Sequence, residues 1–360
     1  MKIYFAGTTG TEVREKILQK MIKRRLLSYF YMDKGLAVSY GYDLIKKSKT
    51  ECDAKTKTVE LFMDSGAFSA FTKDTEVNLK EYIDFLKGNK HIIDIYANLD
   101  VIGENGGAAD ENSAKKTLQN QRRMEKAGLS PLPVFHYGEP YKYLEYYIEK
   151  YKYIALGGLV GANTGKLVSW LDVCFSKYIC GPDGLPKIKI HAFGVTSLRL
   201  MLRYPWYSVD STSWVMMGRN GMIMVPIYRD GHYIYDENSW KLGVSNRSSD
   251  LSKKGQHIQN ISKRKKEMAL NYIHQKGYKL GNSEFKTVDE KYKPQDNERW
   301  ADKKLIGAKK RLLEIVLEPG LSNKYTLRDE LNIIYFNDLE AQWKKWPWSF
   351  PRVTNNCKLF

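Results

Sequence analysis

The sequence predicts an α/β fold: a (β/α)8 barrel of parallel strands followed by a basic, mainly helical C-terminal extension. Three observations predict it. Short apolar β-type runs alternate with amphipathic helical stretches over residues 1–235, the pattern of a parallel sheet with crossover helices. Asp64, Asp100, His136, Gly158, Gly194 and Asp210 each fall at the C-terminal end of a different strand candidate. A closed barrel gathers all such ends at one mouth, whereas an open sheet gathers only those beside its switch point. After residue 235 the alternation stops and positive charge accumulates.

The strand candidates, in order, are residues 2–7, 59–64, 92–100, 132–138, 153–158, 188–194 and 206–210, with a weaker run at 36–41 completing eight. Between them, Leu79, Tyr82, Ile83 and Leu86 recur at i, i+3, i+4, i+7, and so do Leu144, Tyr147, Ile148 and Tyr151. That period defines one apolar helix face, with the tyrosines expected to pack in the core and keep their hydroxyls wet. The barrel domain is assigned to residues 1–235 and the basic region, packed on it, to 236–360.

Composition bounds the function. Fifty-eight Lys and Arg oppose 41 Asp and Glu, a net charge of +17, which points to a polyanionic partner. Residues 241–312 carry 19 of those basic residues against 8 acidic ones. Over 302–318 a helix is expected, because Leu305, Ala308, Leu312, Ile315 and Val316 make one stripe that leaves Lys303, Lys304, Lys309, Lys310 and Arg311 largely outside it. The candidate nucleic-acid contacts are Arg219, Lys263, Arg264, Lys265, Lys266, Lys309, Lys310 and Arg311, against the plainer reading of a solvated face. The Trp-rich segment 343–352 reads as a packed irregular tail. No apolar run reaches the length of a membrane span, so no membrane partner is expected. The N-terminus reads as a strand rather than a signal peptide. Cys52, Cys174, Cys180 and Cys357 are too scattered for a disulfide framework or a C-x-x-C zinc site, which fits a cytoplasmic protein with no metal and no cofactor.

Three carboxylates at strand ends, Asp64, Asp100 and Asp210, are candidates for acid, base or nucleophile. For Asp64 and Asp100 the structural alternative is a helix cap or an Asx-turn. Asp210 is flanked by hydroxyls able to keep it ionised. Gly66 and Ala67 permit close approach of a ligand to the backbone. The stretch 157–166 fails the phosphate-loop pattern, because Lys166 is followed by Leu167. It still reads as backbone that approaches a flat ligand. His136 and His191 lie at or near strand ends, where a histidine is either a core residue or a catalyst. Neither H-E-x-x-H nor G-x-S-x-G occurs.

Asp64-Ser65-Gly66-Ala67-Phe68 resembles the D-S-G-G-F motif of the tRNA-guanine transglycosylases, which are TIM barrels. Gly157-Gly158-Leu159-Val160-Gly161 resembles their base-binding G-G-L-x-x-G loop, and Phe193-Gly194-Val195 their M-G-V segment. Asp210, with Arg219-Asn220-Gly221 nine residues on, resembles the segment that holds their nucleophile. The resemblance covers about residues 60–225. Together with His191-Ala192-Phe193-Gly194 and Val209-Asp210-Ser211-Thr212-Ser213-Trp214, it looks most like the phage DNA 7-deazaguanine transglycosylases of the DpdA type. The chain departs from the tRNA enzymes in lacking their C-x-C-x-x-C…H zinc module after the nucleophile. Ala162 stands where their loop carries Glu, and Phe135-His136-Tyr137-Gly138 replaces V-Q-G-G.

The resemblance implies exchange of guanine in DNA for a 7-deazaguanine such as preQ0. Asp210 would be the nucleophile and Asp64 the proton shuttle. Asp100, Ser65, Gly66, His136, Gly158, Leu159 and Gly194 would bind the base. DNA and the free base would be the partners, with the target nucleotide flipped out of the duplex or already single-stranded. The same chemistry on tRNA, a glycoside hydrolase using the same carboxylates, and a non-catalytic nucleic-acid-binding barrel are the rival readings. The oligomeric state is left open.

Overall fold

Strands so short and apolar that both faces can be buried suit a parallel sheet covered by its own crossover helices. The computed structural model describes residues 1–7, 12–33, 59–103, 109–195, 197–248, 251, 253–302 and 306–350. In it β1 (Lys2–Phe5), β2 (Arg24–Ser28), β3 (Glu60–Asp64), β4 (Ile95–Tyr96), β5 (Val134–His136), β6 (Tyr153–Gly157), β7 (Lys189–Ala192) and β8 (Ser208–Ser211) form one sheet. All neighbours are parallel, in the order β4-β3-β2-β1-β8-β7-β6-β5. The sheet curls. Tyr4, Leu26, Phe62, Ala97, Leu132, Val134 and Ala155, from six strands or their extensions, meet in one buried cluster. Among the described residues a single parallel bridge, Ala97 to Leu132, joins the sheet's outer strands.

The helices of this part are α1 (Glu12–Gln19), α2 (Tyr29–Asp33), α3 (Ala67–Phe71), α4 (Leu79–Gly88), α5 (Glu111–Lys126), α6 (Tyr141–Lys150), α7 (Thr164–Val173) and α8 (Leu198–Arg203). Their starts follow capping chemistry. Asn78 caps α4 by accepting from the Lys80 and Glu81 amides, and Asp110 and Ser113 form a reciprocal capping box on α5. The periodic faces expected on α4 and α6 are buried through Tyr82, Leu86, Leu144 and Tyr147. Tyr82 departs from the wet-hydroxyl expectation, because its hydroxyl donates to Ala97 O at 2.9 Å inside the core.

The weaker strand candidate and the strand that the described sheet contains are different segments. Residues 36–41 lie outside the described residues, and among the described ones β2, a segment the pattern did not flag, is one of the eight strands. The run Lys23-Arg24-Arg25 disguises β2 as surface. Arg25 is in fact buried, its guanidinium donating to Phe5 O at 2.6 Å and to Glu15 at 3.0 Å.

The chain divides into two compact units, the first comprising Met1–Thr212 with the chain from Glu340 onward, the second Ser213–Leu339. The first unit takes in the C-terminal tail because Glu340 accepts from Ile3 N and pairs with Arg24. Trp346 donates to Pro205 O, and Phe350 packs on Phe175 and Tyr204. The second unit holds α9 (Ser213–Arg219), β9 (Met222–Val225), the hairpin β10 (Ile227–Arg229) and β11 (His232–Ile234), β12 (Trp240–Gly243), α10 (Lys263–Gln275), β13 (Asn282–Asp289), β14 (Glu298–Trp300), β15 (Lys310–Glu318) and α11 (Tyr325–Gln342). Its two long helices agree with a helical C-terminal region. The helix expected over 302–318 is absent: Lys310–Glu318 is the central strand of an antiparallel sheet ordered β13-β15-β14. Pairing on both edges satisfies its backbone and overrides the helix-like stripe. Among the described residues no helix is long and apolar enough to cross a membrane.

Candidate active site

Parallel strands all point their carboxyl ends the same way, so polar residues at those ends converge. Ser28 is the register partner of Asp64, Tyr4 of Asp210, and Gly157 of His136. Asp64 ends β3 and accepts from the Gly66 amide at 3.1 Å, the local turn anticipated as its structural role. Gly66 has φ +78°, and a Cβ there would sit 2.3 Å from Phe30 Cβ, so only glycine lets this loop tuck against α2.

Asp100 is bound on both sides. Ser65 Oγ donates to its Oδ1 at 2.8 Å, and His136 Nε2 lies 2.9 Å from its Oδ2. The other His136 nitrogen, Nδ1, is 3.1 Å from Oε1 of Glu139, a buried carboxylate. Burial works against charge on His136, but hydrogen bonds and attraction from Asp100 and Glu139 win and push it up to about 10. It is an imidazolium held between two acids. For Asp100, burial pushes upward, yet the His136 and Ser65 contacts hold the carboxyl below the usual range.

Asp210, in β8, is 5% exposed, and the Gly194 amide donates to its Oδ1 at 2.8 Å. Gly194 reaches it at φ +66°, where a Cβ would fall 2.5 Å from Val160 Cγ2. Burial first, then the charges of Asp100 and Asp210, push Asp64 up to about 7. Asp64 therefore feels both of the other carboxylates, and each of the three has its own hydrogen-bond partners. Asp100 holds one side-chain partner on each oxygen, Asp210 is anchored by one amide, and Asp64 is poised to hold or release a proton near neutrality.

Gly158 has φ +71° and would place a Cβ 3.2 Å from Tyr137 N, while Leu159 is buried. Phe68, in α3 after β3, and Val160, on the loop after β6, are large apolar side chains left 50% and 53% exposed. Sequence reasoning missed Glu139, although its position three residues after a strand-end histidine was the signal. It also missed Ser208 and Tyr153, which bond each other at 2.6 Å, with Ser208 Oγ 2.7 Å from His191 Nδ1. Hydroxyl residues inside strands carry no motif.

Of the basic residues, Lys263, Arg264, Lys265 and Lys266 occupy the first turn of α10, all exposed. Lys309 and Lys310 are exposed at the turn into β15, and Arg219 is exposed at the end of α9. Arg311 is committed internally, donating to Asp302 O at 2.8 Å and lying 4.2 Å over the Trp300 ring. Among the described residues no cluster of His, Cys, Asp and Glu is arranged to hold a metal ion.

No protein-family model matches the chain, and no curated protein matches it. A curled parallel sheet with ionisable groups at its C-terminal strand ends is a TIM-barrel-like scaffold consistent with an enzyme.

Proposed function

We propose that the protein is a base-exchange transglycosylase that replaces guanine in DNA with a 7-deazaguanine of the preQ0 kind. The observation that carries this reading is the division of labour between two carboxylates: Asp64, pushed up to about 7, and Asp210, anchored by Gly194. An oxocarbenium-like transition state needs a carboxylate to capture C1′ and a proton carrier for the departing base. Asp210 attacks C1′ as the bond to N9 breaks, and Asp64 gives its proton to the leaving guanine. The entering base then returns a proton to Asp64 while its N9 displaces the Asp210 ester. Asp100, fixed by Ser65 and His136, takes the base N–H groups on its remaining lone pairs. Phe68 and Val160 offer apolar faces that a flat base would cover. Closure of the sheet into a full (β/α)8 barrel belongs to this reading, supported by the Ala97–Leu132 bridge. Exposed cations on α10 suit a phosphate backbone.

The test is incubation of the full chain with duplex DNA, single-stranded DNA, tRNA and labelled preQ0, followed by nucleoside mass analysis. Label in DNA is expected. Label confined to tRNA moves the chemistry to RNA, and free guanine without uptake of label indicates a hydrolase. Asp210→Asn should lower exchange at least about 10³-fold with nucleic-acid affinity retained. Exchange near the parent rate would remove Asp210 from the chemistry.

A further inference from the structure

His191 is fully buried among Tyr4, Phe62 and Phe193, and no step above uses it. Its Nδ1 lies 2.7 Å from Ser208 Oγ, and Ser208 Oγ lies 2.6 Å from the Tyr153 hydroxyl. Its Nε2 has no hydrogen-bond partner but sits 3.4 Å from Asp210 Oδ1, near yet misaligned. Tyr153 is half-buried and Ser208 Oγ is the partner the structure gives its hydroxyl; of the two hydroxyls the phenol is the more acidic and so the better donor. Tyr153 then donates to Ser208, Ser208 spends its own proton on His191 Nδ1, and the single proton of a neutral imidazole is left on Nε2. Burial, outweighing attraction from Asp210, keeps His191 below its ordinary value and so neutral.

We propose that Tyr153 and Ser208 fix His191 as its Nε2–H tautomer, and that His191 is a positioning residue that assigns the two oxygens of Asp210 to different tasks. The inference rests on the function proposed above. Gly194 N–H and His191 Nε2–H both address Oδ1, and among the described residues no hydrogen-bond donor addresses Oδ2. Oδ2 is thus the attacking atom. In the first displacement the Oδ2–C1′ bond forms as the C1′–N9 bond breaks, and Oδ1 becomes the ester carbonyl oxygen. In the second, N9 of the entering base takes C1′, its proton passes to Asp64, and the Oδ2–C1′ electron pair returns to the carboxylate. A small turn of that carboxylate aligns Nε2–H with Oδ1 as charge comes back, so the ester is a better leaving group. The ionisable groups facing His191 are Asp210, Tyr4 and, through Ser208, Tyr153.

Two measurements on the full chain test this. In nitrogen NMR of histidine-labelled protein, with His191→Gln for assignment, a protonated Nε2 and a bare Nδ1 are expected at neutral pH. Ser208→Ala and Tyr153→Phe should scramble that tautomer. An Nδ1–H tautomer or an imidazolium in the parent overturns the inference. In exchange kinetics, Ser208→Ala and Tyr153→Phe should each lower kcat by about 10-fold, with KM for DNA and base unchanged and the covalent adduct accumulating. His191→Leu should lose more, and His191→Gln, which restores a donor near Nε2, should recover part of it. Parent-like kcat in the relay variants overturns the inference while exchange by the parent upholds the function. A parent that exchanges no base overturns the function, and the spectra then decide the tautomer alone.

Discussion

Asp64 and Asp210 are the same side chain in two surroundings, and a pH titration can read the surroundings of Asp64. The Asp64 carboxyl, ordinarily at 3.8, is pushed up to about 7 by burial and by its acidic neighbours. Across that window the folded chain keeps a proton that the unfolded chain has released. Stability therefore falls as pH rises from the lower value to the higher and levels off above it. Asp64→Asn removes the titration, so its melting temperature should gain on the parent between about pH 4 and pH 7 and hold a constant lead beyond. A difference that stays flat over the window would show that Asp64 is not held up. The same shift predicts that adduct formation, which needs the protonated acid, declines above about pH 7. The three aspartates were legible in the sequence because each closes an apolar run. The partners that separate their roles were not. Glu139 belongs to a loop, and Ser208 and Tyr153 matter only once β6, β7 and β8 lie side by side.

Parallel pairing explains why seven of the eight strands of the curled sheet could be read; β2 and the antiparallel strands of the second unit could not. Runs such as Leu61-Phe62-Met63 announce themselves, whereas β2 begins with Arg24 and Arg25, whose charges are spent on Glu60, Glu340 and Glu15. In β15 the apolar residues fit a helical stripe as well as a strand, and the decision came from pairing with β13 and β14 outside the segment itself. Glu314 marks the consequence. It is fully buried in β15, and Arg299 of β14 donates to its Oε2 at 2.8 Å. Arg299→Ala strands that carboxylate without its hydrogen bond and should destabilise the second unit by about 2–4 kcal/mol. Adding Glu314→Leu should recover much of the loss, since the stranded buried carboxylate is then gone. Urea unfolding of the single and double variants checks both, and a double variant as unstable as the single would mean that Glu314 packs well without its partner.

Net charge of +17 is a property of the whole chain, and among the described residues its densest exposed cluster sits where a helix least tolerates it. Lys263, Arg264, Lys265 and Lys266 form the first turn of α10, which has no acidic residue there. The positive end of the helix dipole repels each of them by about 0.3–1 kcal/mol at low salt. The Ser262 cap, accepting from Lys265 N at 3.5 Å, offsets part of this. A phosphate backbone laid across that turn would relieve the repulsion and release condensed counterions. Replacing Lys263, Arg264 and Lys266 with Gln should therefore move two quantities in opposite directions. Thermal stability at low salt should rise, and affinity for all DNA sequences should fall, with the salt slope flattening by roughly 0.9 for each phosphate no longer neutralised. Lys309 and Lys310, exposed beside β15, should reduce the slope in the same way when neutralised. Arg311 should not, because it is already held by Asp302 and Trp300, and its replacement should appear as lower stability instead. Binding isotherms at several salt concentrations, set beside melting curves of the same variants, separate these outcomes. A slope unchanged by the α10 substitutions, with the stability gain intact, would make that turn a solvated face and place the polyanion elsewhere.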